Sequence, residues 1–178
     1  MPTFALIAAG ADRPGIVAAV TGALAALDVN LADTTMVGLH GTFAMVLVVE
    51  APPSVDAPAL EAALAPVAEA WDLAVAVRPA VVADAPSSPG GRHTLTVYGG
   101  DHPGIVHGVA SRIAAHGGNI VALETHVIGP PDRPVYAMAL DLELPAGADA
   151  ESLARDLTEA GRSLGVSCTL RAADADIL

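Results

Sequence analysis

The stretch ADRPGIV, Ala11 to Val17, returns as GDHPGIV, Gly100 to Val106, differing only in a small first residue and at Arg13 against His102. An offset of 89 also lays Val20 and Asn30 on Val109 and Asn119. Farther on the offset becomes 93: FAMVLVVE from Phe43 overlays YAMALDLE from Tyr136, and Leu60, Leu64, Trp71 and Arg78 fall on Leu153, Leu157, Leu164 and Arg171. The chain is therefore a duplication whose second copy has gained four residues. They lie where GPPDRP, Gly129 to Pro134, replaces GLHG, Gly38 to Gly41. Both stretches are turn-forming, so the insertion leaves the fold unchanged.

Each copy reads in the same order. Thr3 to Ala8 is a short strand, and Ile16, Val20, Leu24 and Leu27 mark one face of a helix over Pro14 to Leu27. Val29 to Val37 and Thr42 to Glu50 flank a Gly-containing turn as a hairpin. Leu60, Leu64, Val67 and Trp71 return to helical spacing before a strand at Leu73 to Val77. Pro66 is expected to kink or restart that second helix. The pattern is βαββαβ, an α+β ferredoxin-like unit, written twice. Residues 1–82 form the first domain and 92–178 the second, joined by the Pro/Gly/Ser segment Ala83 to Gly91.

The two hairpins differ. Tyr136, Met138, Leu140 and Leu142 alternate with residues that include Asp141 and Glu143, whereas Phe43 to Val49 is apolar on both faces. Both helices of such a unit lie on one side of its sheet. The other apolar face of the first copy is then a patch that a second domain or chain should cover, and a homodimer is expected.

In both turns Pro14 and Pro103 suit the first helical position, where the missing N–H has no partner. The amides of Gly15, Ile16, Gly104 and Ile105 then offer an anion site at the positive end of the helix dipole. The alternative is that Asp12 and Asp101 simply cap the helices. Asn30 and Asn119 each follow their glycine by fifteen residues. Their amides offer a donor and an acceptor to an amino acid, or else serve as left-handed helix C-caps.

These residues resemble a family. The repeated unit, with GADRPGIV (Gly10 to Val17) and Asn30, then GGDHPGIV (Gly99 to Val106) and Asn119, is similar to tandem ACT domains, most closely those of the glycine cleavage system transcriptional repressor type. The resemblance implies a regulatory protein that binds a small amino acid, glycine or similar, in the turn between first strand and helix. It assigns binding to Asp12, Arg13, Pro14, Gly15, Ile16 and Asn30, and to Asp101, His102, Pro103, Gly104, Ile105 and Asn119. It also implies action through a protein partner such as a DNA-binding activator; a detached regulatory subunit of an amino-acid biosynthetic enzyme is the alternative. Gly10 and Gly99 stand where serine-sensing ACT domains of dehydrogenases carry a His, so no serine preference carries over.

Composition narrows the remaining classes. Eight Lys plus Arg against twenty Asp plus Glu, a formal charge of −12, repel a phosphate backbone. No apolar run approaches the ~18 residues of a membrane span. Neither a basic, cleavable leader follows Met1 nor is there a second cysteine beside Cys168, and a cytoplasmic location is expected. Five of the six His lie between His93 and His126, but His102 and His107 lack the spacing that puts two ligands on one helical face. No metal, cofactor or catalytic role is expected. An acylphosphatase, of the same topology, needs an Arg in the turn; Arg13 qualifies, but its counterpart is His102.

Overall fold

Alternation and helical spacing place the elements correctly and leave their ends to be read from structure. The structure, a computed structural model, describes residues 1–80, 89–130 and 132–173. The chain divides into two compact units, Met1–Ala83 and Asp84–Leu178. The first contains β1 (Thr3–Ala11), α1 (Ile16–Ala25), β2 (Asn30–Leu39), β3 (Thr42–Glu50), α2 (Ala57–Trp71) and β4 (Leu73–Pro79). The second contains β5 (Pro89–Gly100), α3 (Ile105–Ala115), β6 (Asn119–Ile128), β7 (Val135–Pro145), α4 (Ala150–Ser163) and β8 (Val166–Ala172). Sheet orders are β2-β3-β1-β4 and β6-β7-β5-β8, antiparallel throughout. This is the ferredoxin-like βαββαβ fold, twice.

Each unit buries its own core between sheet and helices. Leu6, Phe43, Met45 and Leu47 meet Ile16, Val20, Leu24, Leu60 and Leu64 in the first, and Leu95, Val97, Met138 and Leu140 meet Ile105, Val109, Ile113, Leu153 and Leu157 in the second. Each such side chain contributes about 1.5–3 kcal/mol when fully buried. The alternation on β3 and β7 reflects one face turned to the helices.

Several expectations are corrected. Pro14 and Pro103 are not the first helical residues: α1 and α3 are N-capped by Gly15 and Gly104, and the prolines precede the caps. Nor does Pro66 interrupt α2, which runs unbroken from Ala57 to Trp71. The expected linker at Ala83 to Gly91 lies largely outside the described residues, and Pro89 to Gly91 already belong to β5. The expected insertion fits the hairpins. Between Leu39 and Thr42 only His40 and Gly41 turn the chain, at φ 50 and 78, the left-handed pair of a two-residue turn. Between Ile128 and Val135 stand six residues, four more than two.

The sheets also show what their helices leave uncovered. Edge strand β2 is exposed along its whole length, and β6 nearly so, with Leu31, Met36, Val37, Leu123, Val127 and Ile128 among the exposed residues. A bulge interrupts both at the same repeat position, Ala32 and Val121. On the face turned from the helices, the first unit presents Ile7 and Val46, each 45% exposed, among Ala5, Ala9, Ala44, Ala74 and Ala76, with Arg78 beside Ala5. The second presents Thr94, Thr96, Asp141, Ser167, Thr169 and Arg171, with Tyr98, 52% exposed, beside Ser167.

Candidate functional site

The first turn is held at both ends. The Asp12 amide donates to the carbonyl of Gly41 at the hairpin tip, 2.8 Å away, while buried Ile16 roots the start of α1 in the core. Gly15 takes φ 103, a conformation glycine accepts readily, and its carbonyl accepts the first helical bond from Ala19 at 2.9 Å. The amides of Ile16, Val17 and Ala18 precede that bond. No side chain caps α1 or α3. By contrast, Asp56 accepts from the Ala59 amide and Asp149 from the Ser152 amide, both at 2.9 Å, at the heads of α2 and α4. Asp12 and Asp101 are thus not helix caps.

The residues of both turns line clefts. One of about 610 Å³ is lined by Asp12, Arg13, Pro14, Gly15, Ile16, Val17, Ala18, Met36 and Phe43. Its counterpart, about 500 Å³, is lined by His102, Pro103, Gly104, Ile105, Val106, His107 and Tyr136. Beneath the first turn lies Trp71, whose ring reaches within 3.0 Å of where a Cβ on Gly15 would stand. Sequence reading gave Trp71 only a place on the helix face; its position one residue before the C-cap of α2 was the signal that it reaches the turn.

Gly10 and Gly99 also find their reason here. A Cβ on either would come within 2.7 Å of a backbone carbonyl, that of Asp72 or Gly165, where the adjacent strand begins. No histidine fits at that point of either strand.

Asn30 and Asn119 are not brought to the turns of their own units. Asn30 opposes Glu50, which opposes Thr3 at the start of β1, whereas the turn follows Ala11. Eight residues of strand separate the two levels by about 26 Å. Asn119 likewise opposes Glu143 beside Arg92, and the second turn follows Gly100. Neither is a C-cap: both are strand residues, and the left-handed residues after α1 and α3 are Asp28 and Gly117.

His102 places Nδ1 3.0 Å from the carbonyl oxygen of Pro103 and bonds through Nε2 to that of Leu164. The Leu164 and then Pro103 carbonyls raise its pKa, against desolvation, with a further push from Asp101. Burial, then Asp101, raises the Tyr136 hydroxyl, which donates to the Met138 Sδ at 3.6 Å. Half-buried Cys168 is pushed up by burial, away from the reactive thiolate. Among the described residues no group of three His, Cys, Asp or Glu is placed to hold a metal. A third cleft, about 370 Å³ at the far end of the second sheet, escaped sequence reading because its residues come from three strands. Its polar groups bond one another: Arg92 pairs with Glu143 at 3.2 Å, and the Thr94 hydroxyl donates to Asp141 at 2.9 Å.

Known proteins share this fold. The family model of the ACT domain matches residues 3–78. A UPF0237 protein of Methanopyrus kandleri is 34% identical over 84 residues, covering 47% of this chain and 89% of that protein; one of Pyrobaculum aerophilum is 34% identical over 73 residues, covering 40% and 77%. Among solved structures, a protein of unknown function from Galdieria sulphuraria superposes with TM-score 0.83 at 27% identity over 97% of this chain and 98% of that one. A structure described as a glycine cleavage system transcriptional repressor shares the fold, with TM-score 0.66 and 16% identity over 96% of each chain. With its fold repeated in both halves and its turns built alike, the chain belongs to the ACT-domain family as a tandem pair.

Proposed function

We propose that this protein binds a small amino acid at its repeated Pro-Gly turns and relays occupancy to a protein partner, as a non-catalytic regulator. The observation that carries the reading is the pair of uncapped helix N-termini: α1 and α3 leave their first-turn amides without a side-chain cap beside a cleft, while α2 and α4 close theirs with Asp56 and Asp149. A ligand carboxylate takes the place of the missing cap. Arg13 at the mouth of the first cleft adds a favourable charge.

The asparagines join the site through a second copy. Pairing the exposed edge β2 antiparallel with β2 of another chain sets the start of one strand beside the end of the other, and Gly38 near that end lies against Asp12. Asn30 of the second copy then reaches the turn that Asn30 of the same unit cannot. This makes the protein a homodimer with the ligand near its seam.

The partner is a protein rather than nucleic acid, since a charge of −12 leaves no basic face. A DNA-binding activator fits a repressor of transcription; an enzyme of amino-acid biosynthesis captured in its place would assign the chain as a detached regulatory subunit. No helix among the described residues is long and apolar enough to cross a membrane.

Trp71, the sole tryptophan, lies under Gly15 and reports on the first cleft. Titration with each amino acid should change its fluorescence saturably for at least one small ligand, with matching heat in calorimetry. Glycine has five heavy atoms, and a ceiling of about −1.5 kcal/mol per atom limits it to roughly −7.5 kcal/mol, the micromolar range. Silence from all twenty in both measurements would overturn the reading.

A further inference from the structure

His102 and Arg13 occupy the same place in the repeat but meet different surroundings. The two ring nitrogens of His102 face two acceptors: Pro103 O within its own turn, and Leu164 O, which opens the connection from α4 to β8. Neutral imidazole has one N–H and one lone pair, so it serves one carbonyl and turns its lone pair on the other; imidazolium donates to both. The arrangement is complete only when the ring carries its proton. In the first unit, the residue matching Leu164 is Trp71, which supports its turn through the indole ring, and the guanidinium of Arg13 is a donor only, with no lone pair to turn on a carbonyl.

We propose that His102 is a proton-operated latch, holding both the Pro103 carbonyl of the β5–α3 turn and the Leu164 carbonyl of the α4–β8 turn when protonated and keeping only one of the two when neutral, so that the second turn responds to pH and the first does not. The pKa direction agrees with this geometry: the Leu164 and Pro103 carbonyls lift it above the ordinary value of 6.5. Stability from the latch is therefore fully present below 6.5 and is lost as pH rises through the folded-state value. Asp101, beside the ring on the turn, favours the proton too. His107 of α3 and Tyr136 of β7 line the same cleft, and Arg162, near the end of α4, lies with Arg155 and Glu159 on that helix's outer side. The latch forms without ligand; only its bearing on amino-acid affinity rests on the function proposed above.

The test is an NMR pH titration of the full, ligand-free chain, following the His102 ring protons and the amide of Gly165, which shares a peptide unit with the Leu164 carbonyl. The ring should titrate with a midpoint above 6.5, and the Gly165 amide should move with the same midpoint. In His102→Gln the Gly165 response should vanish, and in Asp101→Asn the raised midpoint should largely remain. A His102 midpoint at or below 6.5, a Gly165 amide without response, an unchanged response in His102→Gln, or an ordinary midpoint in Asp101→Asn would each overturn the latch. If His102→Gln fails to fold, the unmodified chain and Asp101→Asn decide it.

Discussion

Gly15 and Gly104 share a sequence context and a backbone conformation, φ 103 and φ 99, yet they differ in what a side chain would meet. A methyl on Gly15 stands 3.0 Å from Trp71; on Gly104 it meets nothing within 4 Å. Forcing alanine into such a conformation costs about 1–3 kcal/mol. Gly104→Ala should show that strain alone, while Gly15→Ala should cost more and shift the Trp71 emission; urea unfolding measures both. A similar contrast separates the aspartates. Asp56→Ala removes a real cap and should cost about 1 kcal/mol. Asp12→Ala, lacking any cap bond, should cost less. At this scale the Pro-Gly pair was legible as a helix start. Its register was not: the preference of proline for the first helical position suggested a start at Pro14, and the left-handed glycine moves it to Ile16.

The order of strands and helices was legible because each buries one face, and the apolar period follows from that. Element ends and strand edges were less so. Pro66 illustrates the gap, since the sequence shows a residue that breaks helices but not the burial of Leu60 and Leu64 that keeps α2 continuous through it. Pro66→Ala restores an N–H within an already continuous helix and should stabilise the first unit by up to about 3 kcal/mol. Chemical denaturation followed at Trp71 checks it. Asn30 was legible as the start of β2, but its distance from the turn of its own unit was missed although the signal was present. A ten-residue helix carries the chain about 15 Å back along the sheet, so the next strand starts at the end away from the turn. If a second copy supplies Asn30, Asn30→Ala should weaken amino-acid binding by about 1–3 kcal/mol without altering unfolding of the unit. Unchanged affinity in calorimetry would remove Asn30 from the site.

Across the molecule, the exposed apolar edge is where association is expected. Met36→Lys and Val37→Lys place charges on side chains already 54% and 43% exposed, so each should leave folding intact and halve the mass seen in sedimentation. A mass that stays dimeric would exclude the β2 edge as the interface. Neither variant nor the parent should bind duplex DNA at physiological salt, and a salt-sensitive complex would refute the charge argument. The contrast between the two open sheet faces has a practical consequence for anyone who divides the gene. A fragment of residues 92–178 turns Thr94, Thr96, Asp141, Thr169 and Arg171 to water around a single large ring, Tyr98, and should express as a well-behaved solution. A fragment of residues 1–82 turns Ile7 and Val46 outward and should scatter light at the same concentration, until charged replacements at those two positions render it soluble.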